Sequence, residues 1–583
     1  MMIIHNETTP LGRFAAEELS KYLDLILSAP THYRFSLASD PSLPEEVFCI
    51  TIQEGAVSLR GCGRGLLYAV YEFLERYLGC SFGALAHPEV NTGEVIPTLD
   101  TLDLPEGEYL HTPDLSYRTA IVQFHFWAGE ADRGLTLPFF DWLAKNRYNR
   151  LLLWVSCYEK LKKLGWLEEL EKRGFALTVG HHQATFTFLP PFGNEYFPTA
   201  YRTEHPEYFK LLENGERYAP KDMTDYNGQW LLCSRNEECL QTVADNILYW
   251  LDRNPMVDTI AFWPNDGKKP QCTCPVCAPY SKTENYLYFN NELSRRIAGK
   301  RPDVKIDTLI YMDLWDCPEG TVLSDNVVID VAMCKDAFRP YGKRDGSCVL
   351  GTAYEQNLRD YRAAAASVVA YEYYMGNFAN RQKTVPAADE MQSIFSFMKA
   401  QGISGSGTQI ECFNHWNNLF NFYCFGRTAD DVSLSAADHM ERFCRLFGKG
   451  APQIREILRL YEDTLEGQVP MNEAGIYLIE HIEKERIYSL FEAALAAADN
   501  ARCRNNIRMM RLAFRYSDLT VSDPVEDKSS HRLLKYEDKT GELAYMAAHY
   551  DSYFANYTGY GISVLAEGQA PDTAPDKWYE FEV

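Results

Sequence analysis

The chain has 583 residues, of which 46% are hydrophobic and 24% are charged, so it can bury the cores of two or three globular domains. Its formal net charge of -24 would repel phosphate backbones, which disfavours a nucleic-acid partner. No apolar run approaches the roughly 18 to 20 residues that span a bilayer, which disfavours a membrane partner. The first residues lack the features of a secretory signal, and we therefore expect a cytoplasmic protein.

Residues 1–110 are predicted to form a small α/β domain. The segment "TPLGRFAAEELSKYLDLIL" has apolar residues at helical spacing, "VFCITIQEGAVSLRG" reads as a strand, a turn and a strand, and "GLLYAVYEFLERYLG" is a second amphipathic helix. We therefore expect two helices packed on one small sheet.

Residues 111–427 are predicted to form an α/β fold, a (β/α)8 TIM-like barrel. Eight short apolar runs alternate with helical patterns, in "TAIVQFHF", "YNRLLLWVS", "GFALTVGHH", "DTIAFWPND", "KIDTLIYMD", "NVVIDVAM", "SVVAYEYY" and "SGSGTQIECF". Runs such as "LLLWV" are continuous, as is typical of parallel strands buried on both faces. Residues 428–565 are predicted to form a helical C-terminal domain, and residues 566–583 a loosely ordered tail.

Three carboxylates at or just after predicted strand ends are the candidate catalytic groups: Asp266, Glu372 and Glu411. Catalytic residues of such barrels come from the C-terminal ends of the strands. Glycoside hydrolysis requires one group that protonates the leaving oxygen and a second that stabilises or attacks the anomeric centre, and paired carboxylates supply both. The alternative for each of the three is an ion-pair or helix-capping role.

Amides, imidazoles and aromatic rings follow the same strands and are the candidate substrate-binding groups: Asn265, His125, His181, His182, Trp154, Trp263, Asp313, Tyr373 and Trp416. The aromatic rings are candidate sugar platforms, and their alternative role is to fill the barrel. Tandem histidines on a strand point to opposite faces, so we expect only one of His181 and His182 to enter the barrel mouth. This mixture of groups favours an oligosaccharide substrate.

No glycine-rich phosphate-binding motif or serine-nucleophile elbow follows a predicted strand, so we expect no cofactor for catalysis. The oligomeric state is left open by the sequence.

A cysteine cluster follows the fourth predicted barrel strand. Cys272, Cys274 and Cys277 have the spacing C-x-C-x2-C, and Cys233 precedes the same strand. Four thiolates would complete a tetrahedral structural zinc site without an open position for catalysis. The alternatives are reduced cysteines that brace a loop, or a disulfide.

The segments "GLLYAVYEFLERYLGCSFGALAHPEV", "EHPEYFKLLENGER", "QWLLCSRNEE" and "FWPNDGKKPQCTCPVC" together resemble the bacterial α-glucuronidase-like family that includes glycoside hydrolase family 163, whose characterised activity is endo-β-N-acetylglucosaminidase. The resemblance runs over roughly residues 10 to 520. It implies the same order of domains, places the family's Asn-Asp pair on Asn265 and Asp266, and places a substrate-binding asparagine on Asn377 in "YEYYMGNF".

The resemblance implies hydrolysis of a β-linked N-acetylhexosamine, in which the substrate's acetamide group attacks the anomeric carbon. Glu372 would then be the general acid/base and Asp266 would orient the acetamide, or the two roles would be exchanged. One alternative is an inverting α-glucuronidase-like hydrolase, in which Arg118, Arg339 or Lys335 would bind the uronate. A second alternative is a carbohydrate-binding protein without catalytic activity.

Overall fold

The computed structural model describes residues 3–87, 90–122, 133–221, 230–265, 270–332, 340–341, 352–374, 385–410, 415–465, 469–470, 474–522, 536–537, 540–554, 566–567 and 571–582. Within these ranges, no helix combines the length and the apolar character that a membrane crossing requires.

An N-terminal sheet of four strands packs against two helices. Its strands are β1 (Arg34–Ser39), β2 (Phe48–Gln53), β3 (Ala56–Gly61) and β4 (Gly107–His111), in the order β1-β3-β2-β4. Helices α1 (Pro10–Ile26) and α2 (Gly65–Arg76) bury their apolar faces on it. Helix α1 begins at Thr9, whose hydroxyl accepts a hydrogen bond from the Gly12 N–H, and proline occupies its first turn.

Eight parallel strands close into a barrel, which confirms the predicted fold class. They are β5 (Tyr117–Val122), β6 (Arg150–Trp154), β7 (Ala176–His181), β8 (Val257–Phe262), β9 (Lys305–Ile310), β10 (Val327–Ala332), β12 (Ser367–Glu372) and β13 (Gly405–Ile410). Each pairs in parallel with the next, and β13 pairs with β5 to close the ring. Each of the eight overlaps one predicted run, because parallel strands covered by helices are apolar on both faces.

Helices connect the barrel strands and cover them. They are α3 (Arg133–Lys145), α4 (Val155–Lys163), α5 (Leu167–Glu171), α6 (Ala184–Phe188), α7 (Tyr201–Glu204), α8 (Glu237–Leu251), α9 (Lys282–Ala298), α10 (Thr352–Ala364), α11 (Ala388–Gln401) and α12 (His415–Asp430). Helix α9 begins with a capping box between Ser281 and Glu284, which fixes where the loop after β8 ends.

The C-terminal part of the chain is mainly helical. Its helices are α13 (Ala436–Cys444), α14 (Ala451–Thr464), α15 (Ala474–His481), α16 (Lys484–Ala497), α17 (Ala501–Ser522) and α18 (Glu542–Phe554). Two-residue strands also occur, at β11 (Pro340–Tyr341), β14 (Val469–Pro470), β15 (Tyr536–Glu537) and β16 (Ala566–Glu567). The prediction of a loose tail is wrong for residues 571–582, because Trp578 and Tyr579 are buried among these helices.

Candidate functional site

The C-terminal end of the barrel holds a cluster of rings that we call the aromatic mouth: Trp154, His181, His182, Trp263, Tyr311, Tyr371 and Tyr373. The ring of Trp154 stacks on His181 with centroids 4.5 Å apart, and Trp263 lies 4.7 Å from His181. The ring centroids of Trp263 and Tyr371 are 5.8 Å apart. These rings come from the ends of five strands, so they line the side of the barrel where catalytic groups are found in this fold.

Both tandem histidines reach the aromatic mouth, so the prediction that only one would enter it is wrong. Their rings lie 4.7 Å and 5.7 Å from the Trp263 ring. Strand alternation fails here because His181 has a left-handed backbone, with φ of 74°. The Nδ1 atom of His182 is 2.5 Å from the carbonyl oxygen of Pro264 and therefore carries the proton of this hydrogen bond, since a carbonyl only accepts.

Asn265 is fully buried just beyond the end of β8. Within the described part of the chain, neither its side-chain oxygen nor its side-chain nitrogen has a hydrogen-bond partner. Leaving a buried polar group unpaired costs about 1–3 kcal/mol, so such a group calls for an explanation. An amide offers one acceptor and two donor hydrogens, which suits a ligand that carries a hydroxyl or an amide of its own.

Glu372 is buried at the end of β12, on the side of the strand that faces the helices. Its neighbours in sequence, Tyr371 and Tyr373, pack into the barrel interior. The carboxylate of Glu372 accepts a hydrogen bond of 2.9 Å from the hydroxyl of Tyr354, which lies in the first turn of α10. The structure therefore places this predicted catalytic carboxylate between a strand and its covering helix.

Two carboxyl groups inside the barrel were missed by the sequence interpretation. Asp307 of β9 accepts a 2.5 Å hydrogen bond from the indole N–H of Trp263, and Asp330 of β10 is buried on the adjacent strand. Burial raises the pKa of Asp307 to about 7, although the Trp263 N–H and Arg150 act against it. Burial, with the charge of Asp307, raises the pKa of Asp330 well above its usual range. The available signal was a single acidic residue within each of two apolar strands.

The raised pKa of Asp307 makes the stability of the barrel depend on pH. A carboxyl whose folded pKa lies above its unfolded value of 3.8 stabilises the fold in its protonated form, and this stabilisation is lost as the pH rises through about 7. We expect Asp307→Asn, which can still accept from Trp263, to raise the free energy of unfolding at pH 8 relative to wild type, by up to about 4 kcal/mol. Urea unfolding at pH 5 and pH 8 measures the difference.

At pH 5 the gain from Asp307→Asn should be much smaller than at pH 8. Asp325→Asn is the control, because Asp325 is exposed before the start of β10 and should change neither value. An equal effect of Asp307→Asn at both pH values would contradict the raised pKa.

The remaining predicted residues have varied positions. Asp313 forms an ion pair of 3.0 Å with Lys282, the first residue of α9. Trp416 does not contact the aromatic mouth rings named above; it lines a small cavity with Leu458 of α14 and Met510 of α17. Four predicted residues lie outside the described part of the chain: Asp266, Glu411, His125 and Asn377.

Arg118, a predicted partner for a uronate, lies at the other end of the barrel. It is the second residue of β5, and its guanidinium pairs with Glu46 of the N-terminal domain at 2.5 Å. The other two basic candidates, Lys335 and Arg339, are outside the described residues.

The structure brings the four predicted cysteines together. Cys233, Cys272, Cys274 and Cys277 are all buried, and their sulfur atoms lie within 4.8 Å of one another. They join the loop after β7 to the loop after β8, on the same side of the barrel as the aromatic mouth.

Comparison with solved structures identifies the fold. A GH138 enzyme targeting pectin rhamnogalacturonan II has a TM-score of 0.55 and 11% identity, over 89% of this chain and 70% of that chain. A GH20 exo-β-N-acetylglucosaminidase from Vibrio harveyi, in complex with N-acetylglucosamine, has a TM-score of 0.42 and 12% identity, over 78% of this chain and 74% of that chain. A β-N-acetylhexosaminidase from Bacteroides fragilis has a TM-score of 0.38 and 15% identity, over 66% of this chain and 73% of that chain.

The first of these likenesses shows that the chain shares a fold that a glycoside hydrolase uses. No curated protein matches the sequence. A family model described as a domain of unknown function, DUF4838, matches residues 90–459, which is more than half of the chain. The protein therefore belongs to the DUF4838 family.

Proposed function

We propose that the protein is a glycoside hydrolase that cleaves a β-linked N-acetylhexosamine in an oligosaccharide, with participation of the substrate's acetamide group. The observation that carries this proposal is the buried amide of Asn265, which has no hydrogen-bond partner among the described residues and follows Trp263 of the aromatic mouth by two residues. Aromatic faces stack on the apolar faces of sugars, and a side-chain amide can pair with an acetamide through both its donor and its acceptor.

The catalytic carboxylates that we propose are Asp266 and Glu411. Asp266 follows Asn265 directly, and Glu411 follows Ile410, the last residue of β13. Two strands that end at the barrel mouth thus each lead into a carboxylate, as acid catalysis at a glycosidic bond requires. In this proposal Glu411 protonates the leaving oxygen and Asp266 orients the acetamide as it attacks the anomeric carbon.

Glu372 is assigned a supporting role in this proposal. Its carboxylate lies on the helix-facing side of β12 and accepts from Tyr354, so it holds α10 against the strand. The proposed assignment therefore differs from the one that the sequence suggested, in which Glu372 was the acid/base.

A specific affinity for uronates is less well supported. Arg118 forms an ion pair with Glu46 at the N-terminal end of β5, far from the aromatic mouth. Of the three basic candidates for binding a uronate, Lys335 and Arg339 therefore remain. The sequence resemblance to glycoside hydrolase family 163 supports endo action on a larger glycan as part of this proposal.

The test is a panel of aryl glycosides that differ in one feature at a time. We expect turnover of aryl β-N-acetylglucosaminide or β-N-acetylgalactosaminide and little turnover of the matched β-glucoside, which lacks the acetamide. A thiazoline analogue of the cyclised acetamide should inhibit competitively. Turnover of the glucuronide alone would favour the inverting α-glucuronidase-like alternative. No turnover, combined with thermal stabilisation by sugars, would favour a binding protein.

A further inference from the structure

The four-cysteine cluster has the dimensions of a tetrahedral metal site. The sulfur of Cys233 lies 3.6 Å from that of Cys274, 3.7 Å from that of Cys272 and 3.9 Å from that of Cys277. Thiolates bound at about 2.3 Å to the centre of a tetrahedron are separated by about 3.8 Å. A disulfide instead requires a sulfur separation of about 2.05 Å. These separations, with all four sulfur atoms within 4.8 Å of one another, fit four ligands around one ion and do not fit two disulfides.

Backbone hydrogen bonds support the cluster as they would support bound thiolates. The Leu211 N–H donates to the sulfur of Cys272 at 3.2 Å, and the N–H and the hydroxyl of Thr273 both donate to the Leu211 carbonyl at 2.9 Å. The Cys277 carbonyl accepts from the Asn285 amide of α9 at 2.9 Å. Such contacts orient metal ligands from outside the coordination sphere.

We propose that Cys233, Cys272, Cys274 and Cys277 hold one Zn²⁺ ion. Four buried thiolates fill all four positions of a tetrahedral zinc centre, which leaves none for water or substrate, so the ion has a structural role. Its effect is to tie the loop after β7 to the loop after β8. The second of these loops carries Asn265 and Asp266 as its third and fourth residues, and the zinc centre therefore fixes the loop at a point six to eleven residues further along the chain.

Metal analysis of the purified full-length chain tests the proposal directly. After dialysis against metal-free buffer, inductively coupled plasma mass spectrometry should give about one zinc per chain for wild type. Cys274→Ala should retain less than about a tenth of an equivalent, since three thiolates bind far more weakly than four. Cys157→Ala is the matched control, because Cys157 is a buried cysteine of α4 outside the cluster and its loss should leave the zinc content unchanged.

A second measurement uses the wild-type chain alone, so it does not depend on whether the variant folds. Protein produced in cobalt-supplemented minimal medium should show the intense visible bands of tetrahedral Co²⁺ and a thiolate charge-transfer band in the near ultraviolet. Less than about a tenth of an equivalent of any metal in wild type would overturn the proposal, and so would one iron per chain in place of zinc. Both measurements are independent of any hydrolytic activity.

Discussion

Replacing Glu411 by Gln is expected to lower kcat/KM on an aryl β-N-acetylhexosaminide by at least about a hundredfold, because general acid catalysis contributes that much to bond cleavage. The loss should shrink strongly when the leaving group is dinitrophenolate, which departs without a proton. Asp266→Asn should lower kcat/KM by at least as much as Glu411→Gln. Its loss should be the same on both substrates, since Asp266 acts on the acetamide and not on the leaving oxygen. Steady-state kinetics on the two aryl glycosides separate the roles.

Two further variants show whether Glu372 belongs to the same machinery. Glu372→Gln keeps an oxygen that accepts from Tyr354, and we expect a change in kcat/KM of less than about tenfold. Tyr354→Phe should give a similar result. A loss of a hundredfold or more for Glu372→Gln, together with normal activity of Glu411→Gln, would return the acid/base role to Glu372. Asp325→Asn, at the opposite end of the barrel, is the control for general damage.

The barrel could be predicted because its signal is local. Each strand is covered on both faces, so its sequence is a continuous apolar run, and eight such runs alternate with helical patterns. The strand ends were predicted for the same reason, which is why Asn265 and one of the two tandem histidines were expected from sequence at the mouth.

The side-chain contacts of the site depended on information that is not local. Trp263 donates to Asp307, which is separated from it by 44 residues in sequence, and only the closure of the barrel brings the two together. The position of His181 depends on a positive φ that no residue pattern reports, since residues other than glycine seldom adopt it. Arg118 is different, because its place near the start of a strand already directs it away from the mouth.

Substitution of Arg118 is the second change for which we expect a large effect, in this case on the free energy of unfolding. It is fully buried, and its guanidinium pairs with Glu46 at 2.5 Å while lying 3.7 Å from Asp430, the last residue of α12. It also donates to the carbonyls of Arg147 and Leu115. The N-terminal domain, the barrel and α12 therefore meet at one buried charge. Removing one partner of a buried ion pair costs about 3–5 kcal/mol, because the remaining charges stay buried.

Arg118→Met should accordingly lower the free energy of unfolding at pH 7 by about 3–5 kcal/mol, measured in urea. The matched control is Arg60→Met. Arg60 lies in β3 of the N-terminal sheet, and the ion pair of its half-exposed side chain with Asp40 should contribute less than about 1 kcal/mol. Adding Glu46→Gln to Arg118→Met measures the coupling of this pair, since Glu46 also forms an ion pair with Arg64 that remains in Arg118→Met. An Arg118→Met effect no larger than that of the control would contradict the role of this network.

The pH dependence of stability gives an independent check on the same network. Burial would raise the pKa of Glu46, but Arg118 and then Arg64 outweigh it and hold that pKa below its usual value. Burial would also raise the pKa of Asp430, but His111 and Arg118 outweigh it and lower that pKa below its usual value. Depressed carboxyl pKa values stabilise the fold above the unfolded values of 4.5 and 3.8, and the stabilisation is lost as the pH falls below them. Wild type should therefore lose stability steeply below about pH 4. Arg118→Met should lose less over the same interval, because its carboxylates no longer gain the attraction of the guanidinium.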